Sequence, residues 1–155
     1  MQTRLFLVTG TLVAAIAVAA CGGDKSSTAP ATDITTTSFD ASLNVHLQSM
    51  TKTASGLYYQ DSIVGAGAAV HSGSAVTVGY TGWLANGTKF DGGSIVFTVG
   101  AGRVIAGWDE GLVGMKVGGI RKLVVPPSLG YGASANGPIP ANSVLVFNVQ
   151  VVASQ

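Results

Sequence analysis

Ala75-Val76-Thr77-Val78-Gly79-Tyr80-Thr81-Gly82-Trp83-Leu84-Ala85-Asn86-Gly87-Thr88-Lys89-Phe90-Asp91 is the stretch on which the fold turns. Up to Leu84 it reads as a strand, with Val76, Val78 and Tyr80 on one face. Ala85-Asn86-Gly87-Thr88 then supplies an Asn-Gly turn, a strong local signal for a hairpin. Upstream, Leu57 to Val64 is β-prone and ends at Gly65-Ala66-Gly67. Before that, Leu43, Val45 and Leu47 alternate with Asn44, His46 and Gln48, and this period of two predicts a short strand.

Downstream, Ile95 to Val99 is β-prone and closed by Gly100-Ala101-Gly102. From Arg103 to Leu112 the apolar residues Val104, Ile105, Trp108 and Leu112 recur at helical spacing, and the following glycines limit the helix to two or three turns. Ile120 to Val125 reads as a strand stopped by Pro126-Pro127, and Val144 to Val152 as the last strand. The plan is α+β: a twisted, mostly antiparallel sheet packed on one short helix. The connections are too short for βαβ crossovers, which counts against a doubly wound sheet.

The 155 residues hold 8 Lys+Arg and 7 Asp+Glu, a formal net charge of +1. That balance, without a basic run, argues against nucleic acid as a partner. The single cysteine, Cys21, excludes an intramolecular disulfide and a multi-cysteine metal centre. Residues 1–20 carry one cation, Arg4, followed by an apolar run from Leu5 to Ala20, the build of an export signal. The run is shorter than the roughly 20 residues a membrane-spanning helix needs. It ends in Val18-Ala19-Ala20-Cys21, which resembles a bacterial lipobox. The resemblance implies that Cys21 is lipidated and becomes the mature N-terminus. A plain cleavable signal ending after Ala20, or an uncleaved anchor, are the alternatives. Residues 21–40 are rich in Gly, Ser, Thr and Ala, as in a flexible tether, and leave 41–155 as the folded domain.

No reactive constellation stands out. His46 and His71 have no partners at metal-ligand spacing, and neither a hydrolase elbow nor a phosphate-binding glycine loop occurs. Asp109 and Glu110 are adjacent, so they point in different directions on a helix and cannot act as a paired acid and base. Any catalysis should therefore run without nucleophile, metal or cofactor. Lys116, Arg121 and Lys122 read as a solvated basic patch, and Gly79, Gly82 and Gly107 as packing or turn residues.

Several strings, taken together, resemble the FK506-binding-protein class of peptidyl-prolyl cis-trans isomerase. They are Val78 to Leu84, Asn86 to Asp91, Val104 to Leu112, Met115 to Gly119, Tyr131-Gly132, Gly137-Pro138-Ile139-Pro140 and Leu145 to Val149, and they span roughly 54–155. The resemblance implies a pocket floored by Trp108 and walled by Tyr80, Phe90, Val104, Ile105, Tyr131, Ile139 and Phe147, with Asp91 hydrogen-bonded near Tyr80. It further implies that the Ile105 N–H and the Tyr131 hydroxyl hold the carbonyls flanking a substrate proline. Gly92-Gly93-Ser94-Ile95-Val96-Phe97 is shorter than usual for the family. The usual aromatic wall position falls on Ile95, and Phe97 only partly replaces it.

These implications yield an expectation of an exported isomerase acting on proline-containing proteins and peptides, binding macrolides of the FK506 and rapamycin kind. It would be a monomer without cofactor, anchored by lipid in the bacterial cell envelope, on the outer membrane facing the periplasm. A binding or chaperone module with little turnover, and a purely structural envelope lipoprotein, are the rival readings.

Overall fold

A computed structural model describes residues 33–155; the predicted export signal, Cys21 and most of the tether lie outside them. Six strands form one sheet: β1 (Thr51–Lys52), β2 (Tyr58–Ile63), β3 (Ala75–Leu84), β4 (Lys89–Thr98), β5 (Ile120–Val125) and β6 (Leu145–Ser154). All neighbours are antiparallel, in the order β1-β2-β5-β6-β3-β4. β3 has the bounds read from its alternation. The turn to β4 contains Gly87 at φ +85°, in the left-handed region. β4 begins six residues earlier than the predicted Ile95 to Val99 run, because backbone pairing with β3 carries it through Gly92-Gly93-Ser94.

One helix, α1 (Ala106–Gly111), crosses one face of the sheet. Its glycines set the distance of approach. A Cβ on Gly107 would sit 2.6 Å from Val125 Cγ1, and one on Gly111 would sit 2.8 Å from Leu123 Cδ2. The residues that shorten the helix are therefore the ones that let it lie against β5. Alternation then sorts the sheet into two faces. Leu123, Val125, Leu145, Phe147, Val149 and Val151 point toward α1 and join Val76, Val78, Trp108 and Leu112 in the main core. Val124 and Val146 point the other way.

That opposite face is covered as well. The predicted strand around Leu43 to Gln48 is instead a pair of 3-10 turns, Ala41–Leu43 and Leu47–Ser49, preceded by a third at Ile34–Thr36. The Asp33 and Asp40 side chains cap two of these turns through the Thr35 and Ser42 N–H groups, at 2.9 Å each. Alternation misleads here because Leu43 and Met50 reach the back of the sheet from an irregular strap rather than a strand. The strap buries Ile34, Leu43 and Met50 against Tyr58, Val124, Val144 and Val146, with Phe39 and Trp83 at the margin. The folded body thus includes Asp33 to Asp40, part of the stretch read as tether.

The basic patch does not survive folding. Arg121 is buried. It makes a two-pronged ion pair with Asp61 (2.7 and 2.9 Å), donates to the Gly111 carbonyl at 2.8 Å and stacks over Tyr59. This cation joins β2 and β5 to the C-terminal end of α1, where helix carbonyls favour positive charge. Lys122 points to the other face and donates to the Leu43 and Asn44 carbonyls at 2.6 and 3.0 Å, pinning the strap. Burial lowers its ammonium pKa below the ordinary lysine value. Only Lys116 of the three is exposed.

Ile34 is 3% exposed, so Ile34→Ala should cost about 2–4 kcal/mol in urea unfolding, as for other buried Ile deletions. A loss below about 0.5 kcal/mol would mean that the strap adds nothing to the fold.

Candidate functional site

Trp108 lies in the first turn of α1, and Ile105 caps that turn by accepting the Trp108 N–H at 2.9 Å. The loop before it is fixed by Asp109, whose two carboxylate oxygens accept the Gly100 and Gly102 N–H groups at 2.8 and 3.1 Å. This structural role was not read from the sequence. Its signal is the glycine pair upstream, since Gly100 and Gly102 both hold positive φ, and these conformations bring their N–H groups to one carboxylate.

Rings then gather on the indole. Tyr80 of β3 meets it edge-on, with centroids 4.9 Å apart at 78°. Phe147 of β6 does the same at 5.3 Å and 83°, and Phe90 stands edge-on to Phe147 at 5.5 Å. Such T-shaped pairs match the positive edge of one ring to the negative face of the other. β3 and β6 are adjacent, and Gly82 pairs with Phe147 across them. A Cβ at Gly82 would come within 2.7 Å of both Phe147 and Phe90, so this glycine is what allows the two walls to meet.

Above Trp108 opens a cleft of about 200 Å³. Tyr80, Phe90, Asp91 and Ile95 of the hairpin form one side; Arg103, Val104 and Ile105 of the loop before α1 form another; Tyr131 and Phe147 complete it. Trp108 itself is only 5% exposed, the position of a floor. Its indole N–H is buried with no acceptor among the described residues. A buried unpaired donor costs about 1–3 kcal/mol and is uncommon outside functional sites.

Two expected wall residues fall elsewhere. Phe97 pairs with Val76 across the hairpin and is buried in the core, its ring tilted against Trp108 at 6.0 Å. Ile139 is also core, held by a reciprocal backbone turn with Asn136. Neither lines the cleft. Ile95 does, half-exposed at the rim, so this side is aliphatic and low. Arg103 is the lining residue that sequence reasoning did not single out. It is exposed and makes no hydrogen bond or ion pair among the described residues.

The polar groups are few and directed. The Tyr80 hydroxyl donates to Asp91 Oδ2 at 2.8 Å, and Asp91 Oδ1 accepts the Gly92 N–H at 2.8 Å, so both carboxylate oxygens are engaged. Burial, followed by the hydrogen bond to Asp91 and the charge it carries, raises the Tyr80 phenol above its ordinary pKa. Tyr80 therefore stays a neutral donor at physiological pH. The Ile105 N–H lies just ahead of the first turn of α1 and makes no backbone hydrogen bond among the described residues. The site thus offers an aromatic floor, apolar walls and a small set of donors. Among the described residues no cluster of three His, Cys, Asp or Glu could hold a metal ion, and no helix is long and apolar enough to cross a membrane.

Comparison with known proteins gives a consistent result. Residues 67–152 match the family described as FKBP-type peptidyl-prolyl cis-trans isomerase. An FK506-binding protein of Neisseria meningitidis is 48% identical over 103 residues, covering 63% of this chain and 94% of that protein. Among solved structures, AtFKBP13 superposes with a TM-score of 0.65 at 33% identity, over 68% of this chain and 98% of its own. FkpA from Escherichia coli gives 0.64 at 38% identity, over 68% of this chain and 51% of its own.

The Tyr80–Asp91 pair has a titration signature. Raised in the folded state, the Tyr80 pKa makes a stabilising contribution that is complete below the unfolded value near 10 and is lost as pH rises through the folded value. In ultraviolet titration, Tyr80→Phe should remove a late tyrosine step, and Asp91→Asn should move that step down. An unchanged titration curve in Asp91→Asn would show that the pair does not form in solution.

Proposed function

The chain belongs to the FKBP-type peptidyl-prolyl cis-trans isomerases, and we propose that the cleft over Trp108 is where it turns X-Pro bonds. The activity is isomerisation about the peptide bond that precedes proline. One observation carries the assignment to this cleft: two rings from adjacent strands hold the Trp108 indole edge-on beneath an opening that one proline ring would fill.

Rotation about a peptide bond must break amide resonance, against a barrier of ~18–20 kcal/mol, and needs no covalent chemistry. The planar amide is strongly dipolar and the twisted amide less so. A dry aromatic floor favours the twisted form relative to the planar one, and donors placed for the twisted geometry add to this. In this reading Trp108 supports the proline ring, Phe90, Val104, Phe147 and Ile95 enclose it, and the Ile105 N–H and Tyr131 hydroxyl hold the flanking carbonyls. Tyr80, kept neutral, is oriented by Asp91. A thousandfold acceleration requires only about 4 kcal/mol of preferential stabilisation, which a shaped cavity and two hydrogen bonds can supply. The name of the Neisseria relative supports FK506-like macrolides as ligands of the same cleft.

The reading extends to location. The apolar run to Ala20 and the small residues before Cys21 support export, acylation of Cys21 and a place on the outer membrane facing the periplasm, with proline-containing exported proteins as clients. Action as a monomer completes the reading.

Trp108→Ala should lower kcat/KM on a proline tetrapeptide by at least about tenfold, equivalent to about 1.4 kcal/mol of transition-state stabilisation. Wild-type rates equal to those of a Trp108→Ala/Asp91→Ala double variant would instead favour a binding module working without turnover. For the anchor, intact mass of membrane-extracted protein should show a mature chain that starts at an acylated Cys21. A freely soluble, unmodified chain would contradict it.

A further inference from the structure

Among the described residues β4 is the last strand of the sheet and pairs with β3 alone. An edge strand presents unpaired N–H and C=O groups, and proteins commonly blunt such edges with charge, proline, bulges or a covering segment. From Gly92 to Thr98, β4 contains no charged residue and no proline, and its register with β3 is unbroken from Gly82↔Asp91 to Ala75↔Thr98. Gly92 to Val96 are all exposed.

The same strand forms one lip of the cleft, since Phe90, Asp91 and Ile95 all line it. Between them lie Gly92 and Gly93, neither at positive φ, so no turn conformation calls for glycine there. A Cβ on Gly93 would meet nothing within 4 Å. Glycine inside a strand weakens it, and one of its recognised uses is to let another backbone approach closely.

We propose that the free edge of β4 is a second binding element, on which an extended, unfolded segment flanking the client's proline adds as a further strand. The Gly92 N–H is already taken by Asp91 Oδ1, so pairing uses those groups between Gly93 and Thr98 that point away from β3. Strand addition of this kind draws affinity from main-chain hydrogen bonds and tolerates many sequences, as an enzyme with varied clients requires. At about 3.4 Å per residue, Gly93 to Thr98 accommodates roughly six client residues, more than a tetrapeptide can provide once its proline occupies the cleft. The inference rests on the cleft being the site of isomerisation.

The test uses Ser94→Lys/Val96→Lys in the otherwise intact chain, because both side chains are exposed, neither lines the cleft, and lysine blunts edges. Two substrates share one X-Pro core: a tetrapeptide, and a fifteen-residue peptide extended with β-prone residues. Wild type should favour the long peptide by about three- to tenfold in kcat/KM, chiefly through KM, the scale of one or two net hydrogen bonds. The variant should lose this preference while its tetrapeptide rate holds. In unmodified protein, the long peptide alone should slow exchange of those amides between Gly93 and Thr98 that point away from β3, a readout that does not depend on how the variant folds.

An equal preference in variant and wild type, with β4 exchange unmoved, would overturn the proposal. So would sedimentation showing that a second copy of the chain already closes this edge. No turnover of either substrate by wild type would overturn the cleft assignment itself, and this inference with it.

Discussion

The Trp108 indole is clamped edge-on between Tyr80 and Phe147, and the site follows from that contact. The two rings come from β3 and β6, neighbours in the sheet, while the indole comes from the only α-helix among the described residues. Bringing the three together requires the helix to lie almost on the sheet, which the bare faces of Gly107 and Gly111 permit. It also requires the strands to hold their register, which Gly82 permits by leaving room where Phe90 and Phe147 converge. A side chain at any of these three positions would push the floor or the walls of the cleft rather than an indifferent part of the core.

Few polar interactions support this arrangement, and each has a definite task. Asp91 holds the Tyr80 hydroxyl in place by accepting its hydrogen bond. Asp109 ties the loop that carries Val104 and Ile105 to two backbone donors. Arg121 bridges β2, β5 and the end of α1 from a buried position with all three of its nitrogens hydrogen-bonded, the condition under which a buried charge is tolerated. Catalysis by shape and desolvation depends on rigidity, and these contacts hold the cleft open without filling it.

Much of this was legible in the sequence where local pattern and tertiary environment agree. Val76, Val78 and Tyr80 face the core as their alternation says, and Asn86-Gly87 turns the chain where the dipeptide says. Trp108, Tyr80, Phe90, Asp91, Val104, Ile105, Tyr131 and Phe147, all singled out in the sequence, line one cleft. Where the reading failed, the deciding partner was remote. Arg121 and Lys122 look like surface charge until Asp61 and the Leu43 carbonyl, far away in the chain, come to meet them. Leu43, Val45 and Leu47 alternate like a strand, yet aspartate caps and the apolar back of the sheet draw them into turns. The family resemblance assigns Phe97 to the cleft wall, whereas its register opposite Val76 turns it into the core.

The strap has a practical bearing on how the enzyme meets large clients. Ile34 packs on the side of the sheet that Val124 and Val146 face, away from α1 and the indole. The described chain therefore starts, at Asp33 and Ile34, on the face of the sheet opposite the cleft. Bulky polypeptides can approach the front while the N-terminal side of the molecule is held.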